Sequence, residues 1–204
     1  MMRTAFALGA VLCLAGICLA GTETYGWEGT GTVLGLYGSG DPPIIVTIVT
    51  SPVHSGGHSL ELEDNSPTGT PQAYVAWITG LSDGDEVSAS FWRYDTTPGS
   101  TPPSCRIWGH WNDDPGDVYG YNGSADGNTD YGPGTGWDQT EYTWTVADGH
   151  TGLVVEARTY STEGDIVWID DLTVTAPEGA TIYTPDNYTA ISPSTWGAIK
   201  SLGW

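Results

Sequence analysis

The chain has 204 residues, enough for one domain with a real core. Five Lys+Arg against 25 Asp+Glu give a formal charge of −20. Such a surface repels phosphate backbones and anionic headgroups, which excludes nucleic acid as a partner.

Met1-Met2-Arg3 precedes an apolar run from Ala5 to Ala20 that ends in small residues. This reads as a secretory signal peptide over residues 1–20, cleaved to leave Gly21 as the new terminus, so the protein is expected to be secreted or displayed at the cell surface. Ile17 before Cys18 argues against a lipoprotein signal, which wants a small residue there. No later apolar run is long enough to span a bilayer. Cleavage would remove Cys13 and Cys18, leaving Cys105 without a disulfide partner and best read as a small buried hydrophobe.

From Thr24 to Thr175, short Val/Ile/Thr/Trp/Tyr segments alternate with Gly, Pro, Asn and Asp clusters. The pattern predicts an all-β sandwich over residues 21–176, with strands at Thr24–Glu28, Ile44–Thr50, Ser59–Glu63, Ala73–Thr79, Glu86–Tyr94, Cys105–Trp111, Val118–Tyr121, Thr140–Val146, Leu153–Tyr160 and Ile166–Thr175. Alternation assigns faces. Val87, Ala89 and Phe91 point inward and Trp92 and Tyr94 outward. Cys105, Ile107 and Gly109 point inward, leaving Arg106, Trp108 and His110 outside. Leu153, Val155 and Ala157 point inward, leaving Glu156 and Arg158 outside. If these strands share a sheet, one outer face carries Trp92, Tyr94, Arg106, Trp108, His110, Glu156 and Arg158. Indole rings would stack on a sugar while the charged groups bond its hydroxyls.

Residues 177–204 lose the alternation. They read as a C-terminal tail that either docks on the sandwich or serves self-association or surface anchoring, and whose deletion should leave the sandwich folded.

Several short motifs line up with these strands. They are Gly26-Trp27-Glu28, Ser55-Gly56-Gly57-His58-Ser59-Leu60, Leu81-Ser82-Asp83-Gly84-Asp85, Gly136-Trp137 followed by Tyr142, Trp144 and Val146, and the closing Val167-Trp168-Ile169-Asp170-Asp171-Leu172-Thr173-Val174. On them the chain resembles, from Tyr25 to about Pro177, the jelly-roll carbohydrate-binding modules appended to bacterial xylanases and β-glucanases, within the galactose-binding-like fold. The resemblance implies a jelly-roll β-sandwich of two antiparallel sheets that binds a polysaccharide without catalysis. It also implies a structural Ca²⁺ held by Glu28 and Asp170, clamping the first strand to the last. Alternation puts Asp170 on the face of Trp168, Leu172 and Val174, expected to be core. A buried carboxylate there needs either an ion or backbone N–H donors.

Other constellations carry less. Asp126-Gly127-Asn128-Thr129-Asp130 has the rhythm of a calcium loop, but Tyr131 stands where glycine is needed and Trp137 where the closing Glu is needed. His54 and His58 are four apart, but the glycines between them argue against a helix and no third zinc ligand is evident. There is no Gly-x-Ser-x-Gly elbow. Carbohydrate binding is therefore the expected function and an enzyme is not expected. The alternatives are a structural or adhesive surface protein without a sugar site, and a glycan-active enzyme with carboxylates paired across a cleft.

Overall fold

The structure, a computed structural model, describes residues 21–98 and 101–188. The signal peptide expected over residues 1–20 and the end of the expected tail, from residue 189, lie outside the described residues.

Twelve strands form two six-stranded antiparallel sheets, and the described residues contain no helix. In the first sheet, β3 (Ile44–Val49), β4 (Ser59–Asp64), β11 (Ile166–Ala176), β6 (Glu86–Asp95) and β9 (Gly136–Thr145) follow in that order, and β1 (Gly21–Tyr25) pairs with β11. The second has β12 (Thr181–Tyr183), β5 (Gln72–Thr79), β10 (Gly152–Tyr160), β7 (Ser104–Trp111) and β8 (Ser124–Gly127), with β2 (Gly35–Tyr37) also on β5.

Their inner faces close one core. Val87, Phe91, Leu172 and Val174 come from the first sheet and Ile78, Ile107, Leu153 and Val155 from the second. This is a β-sandwich, built on strands such as β6, where Val87, Ala89 and Phe91 are buried and Ser88, Ser90 and Trp92 between them face out. A β-bulge interrupts β5 opposite Val155 and Glu156. It lets consecutive Val75 and Ala76 both enter the core while Tyr74 and Trp77 stay on the outer face. There Leu34, Tyr74, Trp77, Val118 and Val154 make a second apolar cluster, roofed by Tyr183 and Tyr188. Cys105 is buried in the main core, and burial pushes its thiol up to about 12.

Three local expectations are corrected. Val118–Tyr121 is a turn rather than a strand; β8 follows it at Ser124. The first strand ends at Tyr25, because Trp27 turns into the left-handed region (φ 54°) to bury its indole and donate from Nε1 to the Thr32 carbonyl at 2.8 Å. In β11 the core residues before the bulge are Val167 and Ile169, so Trp168 faces outward; an extra residue around Asp171 (φ 48°) then brings Leu172 and Val174 inward.

Candidate functional site

The expected outer face is divided between two sheets. Trp92 and Tyr94 lie on β6 in the first sheet, whereas Arg106, Trp108 and His110 on β7 and Glu156 and Arg158 on β10 lie in the second. Each points outward as alternation requires, but the two sets are on opposite sides of the sandwich. Trp92 and Trp108 are therefore not on neighbouring strands. Trp92 is covered by His54, stacked at 3.8 Å between ring centroids, and Tyr94 packs edge-on to Trp137 and Trp168. That cluster sits apart from the groove described next.

On the second sheet, register places Glu156 between Trp108 of β7 and Tyr74 of β5, and Arg158 between Arg106 and Gln72. β2 brings Tyr37 beside Gln72. The turn after β7 folds back over the sheet and brings Tyr119 and Tyr121. Together they enclose an open groove of about 560 Å³. Tyr37, Tyr119 and Tyr121 are its walls, 62 %, 57 % and 66 % exposed. Gly35 allows this packing, since a Cβ there would lie 2.8 Å from the Tyr74 ring and 2.9 Å from that of Tyr119.

The floor is polar and ordered. His110 Nδ1 lies 2.5 Å from Glu156 Oε1, and both side chains are buried. The Gln72 amide, turned with its nitrogen toward Glu156, donates to both carboxylate oxygens at 3.0 and 3.1 Å. His110 Nε2 has no partner among the described residues. Burial, and then the charge of Glu156, raise the Tyr74 phenol above its ordinary value. Trp108 donates from Nε1 to Ser124 Oγ at 3.2 Å, and the Arg158 guanidinium lies over its ring at 4.7 Å. One indole face is thus occupied, and the freely presented rings are tyrosines. Arg106 is buried, packs on Tyr131 and Tyr160, and stands opposite Arg158 on the neighbouring strand.

Of the seven residues read from the sequence, Trp108, His110, Glu156 and Arg158 line the groove, Arg106 stands opposite Arg158, and Trp92 and Tyr94 belong elsewhere. Tyr37, Gln72, Tyr74, Tyr119 and Tyr121 were missed. The Val118-Tyr119-Gly120-Tyr121 run offered a signal: two tyrosines beside glycines in a turn have no core to enter.

The expected metal residues hold a loop. Asp170, fully buried, accepts the backbone N–H of His54 (2.9 Å), Ser55 (3.2 Å) and Asp171 (2.7 Å). Burial raises its carboxyl against the pull of those N–H groups. Glu28 accepts the N–H of Gly57 (2.7 Å) and His58 (3.1 Å) and pairs with His58 Nδ1 (2.9 Å). The His58 side chain, then the amides, hold it below its usual value. Both carboxylates thus face backbone N–H groups of the loop from His54 to His58.

No protein-family model matches the chain, and no curated protein matches it. Solved structures similar to it include the CBM22-1 xylan-binding domain of Xyn10C from Paenibacillus barcinonensis, at 14 % identity and TM-score 0.49 over 76 % of this chain and 92 % of that one. They also include the family 11 carbohydrate-binding module of the cellulosomal cellulase Lic26A-Cel5E of Clostridium thermocellum, at 14 % and 0.43 over 76 % and 94 %. The enzymatically active domain of tailspike protein 4 from bacteriophage CBA120 is similar at 13 % and 0.45, over 77 % of this chain and 19 % of that one.

Proposed function

We propose that this chain is an exported jelly-roll module that binds carbohydrate without acting on it, in the groove on the outer face of β5, β10 and β7. The observation that carries this reading is the pairing of exposed tyrosine walls with a buried, hydrogen-bonded floor of His110, Glu156 and Gln72. A pyranose has an apolar face to set against a ring and hydroxyls to meet directional polar groups, and the groove offers both. Glu156 is the one carboxylate among the described residues that line the groove. Hydrolysis of a glycosidic bond ordinarily takes two across the scissile bond, which supports binding over catalysis.

The test is a glycan array probed with the chain lacking residues 1–20, followed by titration of the strongest oligosaccharide against Tyr119→Ala and Tyr121→Ala. Each is expected to weaken binding by about 1–3 kcal/mol if it is a stacking hot spot. Both should keep the wild-type melting temperature within a few degrees, because exposed rings contribute little to the core. No bound glycan, together with concentration-dependent self-association, would replace this reading with a structural or adhesive one.

A further inference from the structure

The strongest unexplained feature is a pair of arginines. Arg106 and Arg158 stand directly opposite each other on β7 and β10. Like charges in that position destabilise a sheet. Neither side chain makes a hydrogen bond or ion pair with any described residue, and the Nε of each is buried without a partner. Arg93 shows what the same fold does when it satisfies a guanidinium. It bonds Asp138 and Asp130 and the carbonyls of Cys105 and Asp130. Among the described residues no carboxylate bonds Arg106 or Arg158, and Glu156, two residues before Arg158 on the same face of β10, bonds His110 and Gln72 instead.

Aromatic rings account for the flat faces of both guanidinium groups. Arg106 lies 3.7 and 4.0 Å from the centroids of Tyr131 and Tyr160, and Arg158 lies 4.7 Å from that of Trp108. Stacking uses the planes and leaves the N–H edges, five donors on each side chain, without acceptors. Arg158 lines the groove.

Resting on the carbohydrate reading above, we propose that the glycan carries a carboxylate, and that Arg158, backed by Arg106, recognises it. A planar carboxylate matches the guanidinium fork, so two parallel N–H bonds form where a hydroxyl would take one. It also neutralises the opposed cations. The formal charge of −20 sets a limit on the ligand. A polyanion is repelled by the whole molecule, whereas one uronic acid on a neutral chain meets mainly the local cations, because screening acts beyond about 8 Å at physiological salt. The ligand class is therefore a neutral oligosaccharide bearing an isolated uronic acid.

The experiment uses oligosaccharides that each carry one glucuronic or galacturonic acid, their carboxyl-reduced neutral twins, and sulfated counterparts, titrated at low and high salt. The acid is expected to bind about 10- to 100-fold tighter than its twin, the range for hydrogen bonds to a charged group, with the ratio shrinking as salt rises. Arg158→Gln should bring the ratio near one, the acid losing about 10-fold or more affinity beyond whatever the neutral twin loses. Arg158→Lys should keep part of the ratio, since it retains the charge and loses the fork. Equal binding of acid and twin overturns the proposal and leaves the carbohydrate reading standing. Tighter binding of the sulfated form overturns the carboxylate assignment, and an equal loss for acid and twin in Arg158→Gln shows that the arginine serves hydroxyls. Failure of every oligosaccharide overturns both readings. If Arg158→Gln does not fold, the salt dependence and acid-to-twin ratio of the wild type decide.

Discussion

Single residues divide between holding the fold and presenting a surface, and exposure and partners tell which. Trp92 is stacked under His54, whose Nδ1 in turn meets Asp171 Oδ2 at 2.6 Å. Trp92→Ala is therefore expected to cost about 1–3 kcal/mol of stability through lost packing, read in denaturant unfolding, and to leave glycan affinity unchanged. Gly35 works the other way. A methyl there collides with Tyr74 and Tyr119. Gly35→Ala should displace the Tyr119 wall and weaken glycan binding several-fold, with a smaller loss of stability, as measured by titration and melting of one preparation. All four histidines place Nδ1 against a carboxylate: His54 on Asp171, His58 on Glu28, His110 on Glu156 and His150 on Asp113. Only the His110 pair belongs to the groove, so His110→Ala should impair binding where His150→Ala does not, with titration as the comparison.

Among elements, the loop before β4 and the short β12 show how edges are tied down. Asp170 and Glu28 together hold backbone N–H groups from His54 to His58. Asp170→Ala should free that loop, visible as faster proteolysis near Gly56 and a loss of about 1–3 kcal/mol from the unpaired donors. Melting curves in chelator and in millimolar calcium test whether these two carboxylates also hold the structural Ca²⁺ expected at them, and coincident curves would leave them to the N–H groups alone. A melting temperature that climbs with the logarithm of free calcium would assign an ion to the pair. β12 lies inside the segment read as a tail and pairs with β5 from Thr181 to Tyr183, while Tyr183 and Tyr188 cover Trp77. Deleting residues 189–204 removes none of these contacts. Deleting 178–204 strips them, and should lower the melting temperature measurably relative to the shorter truncation.

For the molecule as a whole, acid stability follows from paired carboxylates. Glu28 is held below its usual value by His58 and nearby amides. Burial pushes Asp113 and Asp130 up, but hydrogen bonds outweigh it: Thr151, His150 and Asn122 at the first, Arg93, Gly132 and Asn128 at the second. In all three the folded state binds protons more weakly than the unfolded chain, so their contribution is present above the ordinary values of 4.5 and 3.8 and is lost as pH falls through the lowered ones. Asp170 has the opposite sign, its raised carboxyl favouring the fold in acid. Glu28, Asp113 and Asp130 therefore each pull the melting temperature down as pH falls below the ordinary carboxylate range, and Asp170 opposes them, as a melting series over acid pH would read. Glu28→Gln should flatten the upper end of that fall. The measurement belongs at 0.15 M salt, where repulsion among distant acids is screened beyond about 8 Å and local pairs dominate.

The sequence by itself determined the β class, nine strand regions to within a few residues, and the outward direction of the seven side chains expected on the sugar face. Those follow from two-residue periodicity and turn formers, which are local. Only the tertiary structure decided which strands share a sheet. Alternation says which side of a strand a residue occupies, and nothing about the neighbour it pairs with. Trp92 and Trp108 have the same parity, yet β6 joins β11 and β9 while β7 joins β10 and β8. Bulges were equally hidden, since one inserted residue in β5 or β11 reverses parity without changing composition. The tyrosine walls were hidden for a further reason. Tyr37 lies on a three-residue strand and Tyr119 and Tyr121 follow a turn, and only the folding of those segments over β5, β10 and β7 brings the three rings to one groove.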